Sequence, residues 1–154
     1  MTAQRGRPNV KLVRGPFLRL PAHTDHCETE QELVALCRKI RRGAPKTVLA
    51  ADLFAGAGGM SLGLEQAGMR VVIGADHDPE ALETHRHHFG GIALDWDLGD
   101  PNVIERLAEL MTAARVDVLA GGPPCQPFSK AGRWGMRHLV REGLREPHDR
   151  RRDL

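Results

Sequence analysis

Residues 47–59 read TVLAADLFAGAGG, and this junction between an apolar run and a glycine-rich turn decides the fold. The run 47–54 has the length and composition of a buried strand, and the pattern predicts a helix from the turn through Gln66, stopped at Gly68. Glycines in such a turn let the backbone bend sharply and approach a ligand closely, and the following helix offers free N–H groups. The junction therefore predicts a strand–turn–helix unit with a ligand-binding edge.

The alternation of strand and helix continues along the chain to residue 120. Further strands are predicted at Arg70–Asp76, 93–98 and 116–120, and further helices at Pro79–Phe89 and Pro101–Ala114. Four short apolar strands separated by helices indicate βαβ units with right-handed crossovers. The expected fold class is α/β, with a parallel sheet and flanking helices.

Residues 1–45 are predicted to form a basic arm and one helix, ahead of a second unit at 46–154. Residues 1–27 show no clear periodicity and read as an arm or loop. Thr29 and Glu32 have the spacing of a capping box, and apolar residues then follow at helical intervals up to Gly43. Cys37 falls among them, which favours a small core hydrophobe over a reactive thiol.

Composition and charge limit the class of protein. The chain has 154 residues and a net charge of +2, without an apolar run that could span a bilayer or an N-terminal secretory h-region, so the cytoplasm is expected and a membrane is not. The irregularly spaced Cys27, Cys37 and Cys125 indicate reduced thiols. His23, His26 and Cys27 lack a second ligand pair at the usual spacing, so no metal site is expected.

Positive charge is concentrated at the two ends of the chain. Residues 1–19 hold five Lys/Arg and no acid, and residues 130–154 hold eight Lys/Arg against four acids. Basic ends around a nearly neutral middle suit a polyanionic partner. Charge runs are more often solvated surface, so charge alone favours that interpretation.

Acidic residues stand where strands of the predicted sheet end. Asp76 closes the second strand 20 residues after Gly56, where a carboxylate can accept from ribose hydroxyls, and Asp97 closes the third, where it can accept from an adenine amine. Asp78, just before Pro79, is better explained as a helix N-cap. Ser61 stands where a dinucleotide fingerprint needs glycine. Asp76 or Asp97 alone suits an ordinary turn or cap, but together with the glycine-rich turn they favour an adenosine-containing cofactor.

Cys125 lies in GGPPCQPFS, residues 121–129, directly after the fourth predicted strand. The flanking prolines stiffen the loop, and a rigidly presented thiol beside a cofactor pocket is what covalent catalysis needs. A buried structural cysteine is the alternative, and loop-forming neighbours at the ligand edge disfavour it.

Taken together, DLFAGAGG, DHDPEA, DWDL and GGPPCQPFS resemble, in order, motifs of the cytosine-5 DNA methyltransferase family. The resemblance covers residues 47–154 and implies a Rossmann-like S-adenosylmethionine-dependent methyltransferase fold, incomplete at the C-terminus. It implies S-adenosyl-L-methionine as the cofactor and double-stranded DNA as the partner. The cofactor-binding residues implied by the resemblance are Phe54, Gly56, Gly58, Gly59, Asp76, His77, Asp97, Leu98 and Leu154. His77 departs from the apolar or aromatic residue common in the family.

The resemblance also implies a mechanism. Cys125 would add to C6 of a flipped cytosine, C5 would take the methyl group, and loss of the C5 proton would expel the thiolate. The DNA-contacting residues implied are Gln126, Ser129, Lys130, Arg133 and Arg137, in an Arg-rich segment expected to act as a loop that closes on DNA.

The family's ENV-like glutamate has no counterpart after Cys125. We therefore expect that this chain alone does not methylate DNA. Three interpretations stay open at this point: the N-terminal part of a methyltransferase, half of a split enzyme with a complementing C-terminal chain, and a non-catalytic S-adenosylmethionine- or nucleic-acid-binding module. A tRNA substrate is also compatible with the chemistry, whereas Ser61 disfavours an NAD-dependent oxidoreductase.

Overall fold

The computed structural model describes residues 21–124 together with 141 and 143. In chain order the elements are α1 (Glu30–Gly43), β1 (Leu49–Leu53), α2 (Gly59–Gln66), β2 (Arg70–Asp76), α3 (Pro79–His88), β3 (Ile92–Asp95), α4 (Pro101–Ala114) and β4 (Val118–Gly121). The strands pair in parallel in the order β3-β2-β1-β4. The predicted α/β class, with a parallel sheet and flanking helices, is confirmed.

The strand order creates the position at which such sheets bind ligands. The chain runs outward from β1 to β3 and then returns past β1 to form β4. Right-handed connections therefore place α4 on the opposite face of the sheet from α2 and α3. The reversal falls between β1 and β4, and ligands of open α/β sheets bind at the carboxyl ends of strands beside such a reversal.

Three strands and one helix differ in extent from the sequence prediction. β1 starts later and stops at Leu53, because Phe54 adopts a left-handed φ of 57°. β4 starts at Val118, because the N–H of Val116 still bonds to Met111 O at the end of α4. α3 ends one residue early, since Phe89 is already extended. β3 runs from Ile92 to Asp95 rather than 93–98, and that difference matters at the site.

Apolar residues of the central strands form the core. Leu49, Val72 and Ile73 are fully buried, and α1 contributes Leu33 and Cys37, which confirms Cys37 as a core residue. Burial raises the pKa of the Cys37 thiol to about 11, so it stays protonated. The predicted capping box of α1 is also present, with reciprocal bonds between Thr29 and Glu32.

Residues 21–27, predicted as part of an arm or loop, form a loop bonded to the sheet. Cys27 N donates to Gly91 O at 2.7 Å, Gly91 N donates to Asp25 O at 2.9 Å, and Asp25 pairs with Arg70 at 2.7 Å. Within the described residues no helix is both long and apolar enough to cross a membrane.

Candidate cofactor site

The glycine-rich turn after β1 has an unusual backbone conformation. Phe54, Gly56 and Gly58 all have positive φ values, of 57°, 53° and 98°. The left-handed region costs a residue with a side chain roughly 1 kcal/mol, so Phe54 must be held there by its surroundings. The neighbouring Ala55 N–H donates to Ala75 O of β2 at 3.1 Å. The turn is therefore fixed to the end of the adjacent strand.

Asp76, the last residue of β2, joins this turn to the start of α3. Its Oδ2 accepts from Gly56 N at 2.8 Å and its Oδ1 accepts from Asp78 N at 3.0 Å. Its side chain is only 12% exposed. Each carboxylate oxygen has two lone pairs, so each retains the capacity for one further hydrogen bond. The carboxylate is thus held by the backbone and still able to accept from a ligand.

His77 and Asp78 follow at the same edge and differ in role. The His77 side chain is 70% exposed, and its Nδ1 lies 3.6 Å from Asp76 Oδ1. Asp78 accepts from Glu80 N and Ala81 N at 3.0 and 3.2 Å. The prediction that Asp78 caps this helix is therefore confirmed, whereas the imidazole of His77 is available to a ligand.

Asp97 does not close the third strand, so that prediction was wrong. β3 stops at Asp95, after which Trp96 N still donates to Asp76 O and the chain enters a tight turn. In that turn Asp97 is exposed, and its Oδ1 accepts from Gly99 N at 3.0 Å. The strand ends early because the polar sequence DLGD favours a turn that leads into the N-cap of α4 at Asp100. Leu98 turns inward and is buried in the core.

The end of β4 lies against the glycine-rich turn. Gly121 pairs with Leu53, and Gly122 N donates to Leu53 O at 3.2 Å. The chain segment that leads to Cys125 therefore leaves the sheet beside the turn. The remaining predicted site residues lie outside the described residues, namely Cys125, Gln126, Ser129, Lys130, Arg133, Arg137 and Leu154.

A buried polar network beneath the turn was not predicted from the sequence. Ser61 Oγ donates to Asp52 Oδ2 at 2.7 Å and lies 3.0 Å from His85 Nε2, and all three side chains are essentially inaccessible. Burial lowers the pKa of His85 to about 4 and raises the pKa of Asp52 above its usual value. The available signal was Asp52, a charged residue within an otherwise apolar strand.

The electrostatic character of this edge is acidic. No Lys or Arg occurs in 51–69, 71–85 or 87–105, the stretches that supply the turn, the end of β2 and the end of β3. Acids that stand at or near the ends of these strands are Asp52, Asp76, Asp78, Asp95, Asp97 and Asp100. Such an edge attracts a cationic group and repels phosphates.

A groove lies elsewhere on the molecule, away from the carboxyl edge of the sheet. The groove of about 710 Å³ runs between α1 and α4, lined by charged side chains such as Glu30, Arg38 and Arg106. None of the predicted cofactor residues lines it. Among residues 21–124, 141 and 143, no group of three or more potential metal ligands is found.

Comparisons with known proteins agree on one family. Residues 48–144 match the family described as C-5 cytosine-specific DNA methylase. Type II methyltransferase M.HgiDI of Herpetosiphon aurantiacus is 40% identical over 82 residues, which cover 53% of this chain and 26% of that protein. M.PspPI of Psychrobacter sp. is 35% identical over 118 residues, covering 73% and 27%. M.HgiGI of H. aurantiacus is 39% identical over 82 residues, covering 53% and 63%. The matched segment thus spans about a quarter of the first two relatives and less than two thirds of the third.

Proposed function

This chain belongs to the C-5 cytosine-specific DNA methylase family, and we propose that it binds S-adenosyl-L-methionine at the carboxyl edge of its sheet and carries the nucleophile for methyl transfer to cytosine in DNA. The observation that carries the proposal is the position of the Asp76 carboxylate, which accepts hydrogen bonds from Gly56 N in the turn and from Asp78 N just before α3. A carboxylate so fixed, with one acceptor site free on each oxygen, is matched to the two hydroxyls of a ribose.

The space above the turn suits a ligand that approaches the backbone. A Cβ added at Gly56 or Gly59 would meet no atom within 4 Å. The family uses S-adenosylmethionine, and these two glycines would let its methionyl part lie close to the turn. Gly58 differs, because its missing side chain makes room for the Phe89 ring. Its proposed contribution is therefore the shape of the turn.

Charge supports this cofactor over a dinucleotide. S-adenosylmethionine carries a positive sulfonium, which suits an edge where β2 and β3 both end in an aspartate and where the contributing stretches hold no Lys or Arg. A pyrophosphate would meet the same acids unfavourably. Ser61 also disfavours a dinucleotide, because the dinucleotide fingerprint requires glycine at that position.

The adenine end of the cofactor is assigned to residues farther along the edge. His77, with its exposed imidazole, is proposed to stack on the base, and Asp97 to accept from the exocyclic amine. Asp97 would keep its bond from Gly99 N and still have a free carboxylate oxygen. Leu98 is buried in the core, so its proposed part is to hold the Asp97 backbone in place. Phe54 and Leu154 complete the proposed set.

Bound S-adenosylmethionine supplies an electrophilic methyl group, and the chain must activate the cytosine of the DNA so that its C5 can attack that group. We assign that role to Cys125, which follows the strand end where Gly122 meets the turn. Its thiolate adds to C6 of a flipped base, which makes C5 nucleophilic. After C5 takes the methyl group, loss of the C5 proton and breakage of the S–C6 bond restore the ring and the thiolate.

The DNA contacts are assigned to the residues around and after Cys125. Gln126 and Ser129 are proposed to contact the flipped nucleotide, and Lys130, Arg133 and Arg137 the phosphates. The glutamate that protonates the ring in this family has no ENV-like counterpart after Cys125. We propose that it comes from sequence beyond these 154 residues, on the same protein or on a complementing chain. The proposed division is 1–45 as arm and helix and 46–154 as catalytic unit.

Calorimetric titration of S-adenosylmethionine into the chain tests the proposal. We expect Asp76→Ala to weaken binding by about tenfold or more, because two hydrogen bonds to a charged acceptor are lost. Asp117→Ala is the matched control, since Asp117 bonds to Leu49 N at the opposite end of the sheet. Absence of binding by the unmodified chain, or equal affinities for the two variants, would contradict the proposal.

A further inference from the structure

The two ends of the glycine-rich turn are tied together beneath it. Asp52 is the fourth residue of β1 and Ser61 lies in the first turn of α2. Their side chains meet in the hydrogen bond of 2.7 Å, nine positions apart in sequence. Phe54, Gly56 and Gly58 all lie between them in left-handed conformations. The bond therefore joins the residues on either side of the glycine-rich turn and holds the two ends of the turn at a fixed separation.

The hydrogen bond between Asp52 and Ser61 continues to His85, and the hydrogen that each group can donate fixes its direction. Ser61 has one hydroxyl hydrogen, which it donates to Asp52. The contact of 3.0 Å between Ser61 Oγ and His85 Nε2 must then use a hydrogen on the imidazole. His85 therefore donates through Nε2–H to Ser61, and the buried ring is the neutral tautomer with its hydrogen there. Removal of either donor leaves a buried polar group without its partner.

The position of His85 is itself set by close packing. A Cβ added at Gly74 of β2 would lie 2.3 Å from the His85 ring, so only glycine leaves room for the imidazole there. The ring also stands 4.7 Å, centroid to centroid, from that of Phe89. Phe89 in turn fills the space at Gly58, where a Cβ would lie 2.2 Å from its ring. α3 thus contacts α2 through Ser61, and Phe89 contacts the glycine-rich turn at Gly58.

The same helix begins beside the proposed ribose acceptor. Asp78 caps α3 and donates its N–H to Asp76 Oδ1. A displacement of α3 relative to α2 would therefore move Asp76 relative to Gly56, the pair that forms the proposed cofactor contact. His85 lies in the last turn of the same helix, and its buried hydrogen bond to Ser61 of α2 can prevent that displacement.

We propose that Ser61 and His85 are positioning residues for the cofactor site, acting through Asp52 to hold the glycine-rich turn and α3 in the arrangement that Asp76 requires. This inference rests on the proposed function and deepens it. Neither residue touches the cofactor. Their effect is to limit the number of conformations that the turn and the Asp76 carboxylate adopt before the ligand arrives.

Hydrogen exchange and cofactor affinity, measured on the full chain, test this role. Ser61→Ala removes the central hydroxyl with the smallest change in volume. His85→Phe keeps a ring but loses the donor, whereas His85→Gln keeps an N–H donor. Thr29→Ala is the control, because it removes the cap of α1 and leaves the network intact.

For Ser61→Ala and His85→Phe we expect amides 55–62 to exchange about tenfold faster than in the unmodified chain, and S-adenosylmethionine to bind about tenfold more weakly. His85→Gln should stay within about threefold on both measures, and Thr29→Ala should change neither locally. This rescue by a donor of different shape separates positioning by the hydrogen bond from simple packing.

The proposal is overturned if exchange at 55–62 is unchanged in Ser61→Ala, or if His85→Gln is as impaired as His85→Phe. If His85→Phe fails to fold, Ser61→Ala carries the decision by itself. If the unmodified chain does not bind S-adenosylmethionine, the proposed function fails, and the exchange measurement still decides whether the network holds the turn.

Discussion

At the residue scale, Asp76 and Asp97 are two carboxylates held to very different degrees. Asp76 receives two backbone hydrogen bonds from two separate segments and is mostly buried, whereas Asp97 is exposed and bonded within its own turn. Ordering a side chain on binding costs free energy, so a carboxylate that is already fixed contributes more to affinity. Asp76 is therefore expected to dominate the proposed ribose contact, and Asp97 to add selectivity for adenine.

His85 gives the chain a predictable sensitivity to acid. Its pKa is about 4 in the folded protein against 6.5 when unfolded, because burial disfavours the imidazolium. Between these values the unfolded chain binds more protons, so the stabilising effect is complete above pH 6.5 and is lost as pH falls toward 4. We expect the free energy of unfolding to fall by about 2 kcal/mol between roughly pH 7.5 and 5 through this residue.

Urea unfolding of the unmodified chain and of His85→Phe at the two pH values measures this effect. Phenylalanine does not titrate, so the variant should lose about 2 kcal/mol less than the unmodified chain on acidification. His26, whose pKa burial also lowers, remains in both proteins, so its own titration contributes to both measurements. Equal losses in the two proteins would show that His85 is not the responsible group.

Cys125 makes a chemical prediction that is independent of the sheet. When the chain is combined with the sequence that supplies the ring-protonating glutamate, incubation with S-adenosylmethionine and with DNA that contains 5-fluorocytosine should trap a covalent protein–DNA adduct, because fluorine at C5 blocks the elimination that frees the thiol. Cys125→Ser should form no adduct, while Cys37→Ser should form it, since Cys37 is a buried core thiol. Adduct formation by Cys125→Ser would contradict the assignment of the nucleophile.

At the scale of elements, the glycine-rich turn and α2 offer a pair of glycines with opposite requirements. Gly58 has a φ of 98° and faces the Phe89 ring, whereas a Cβ at Gly63 within α2 would meet nothing within 4 Å. Gly58→Ala should therefore lower the free energy of unfolding by about 2 kcal/mol or more. Gly63→Ala should raise it by roughly 0.5–1 kcal/mol, the helix propensity difference.

Chemical unfolding of both variants checks these values, and the sign is decisive. Stabilisation by Gly58→Ala would mean that the turn does not adopt the left-handed conformation or the contact with Phe89. We also expect Gly58→Ala to reduce S-adenosylmethionine affinity, since the turn that it distorts holds Gly56 against Asp76.

The first helix tests whether local capping contributes as its geometry indicates. Thr29 Oγ1 accepts from Glu32 N at 3.2 Å, and Glu32 Oε2 accepts from Thr29 N at 3.2 Å and from Glu28 N at 2.8 Å. Thr29→Ala should lower stability by about 1 kcal/mol in thermal or urea unfolding. A change below about 0.3 kcal/mol would mean that water replaces the cap at this exposed position.

At the scale of the whole molecule, most elements could be predicted from sequence because residues that start or stop a helix or strand stand at their ends. β2 and α4 match their predicted bounds, since glycine, proline and capping aspartates stand at their ends. The end of β3 was misplaced because an apolar residue, Leu98, continues the pattern beyond the strand. The strand instead gives way to the turn in which Asp97 accepts a hydrogen bond from Gly99 N, and the apolar pattern does not reveal that turn.

The parts that escaped prediction depend on long-range approach. Ser61 and His85 are 24 positions apart and each fits a helix without any partner. Their contact requires α2 and α3 to pack on the same face of the sheet, and it requires a residue without a side chain, Gly74, under the imidazole. The attachment of residues 21–27 to Gly91 has the same origin, because backbone hydrogen bonds leave no trace in side-chain periodicity.

Binding of the cofactor at the carboxyl edge of the sheet is tested most directly by backbone NMR during titration with S-adenosylmethionine. We expect the largest amide shift changes at residues 54–59, 76–78 and 97–99, with little change along the groove between α1 and α4. Shift changes centred on that groove, at Glu30, Arg38 and Arg106, would contradict binding at the edge of the sheet. The absence of any shift change at a large excess of S-adenosylmethionine would contradict it as well.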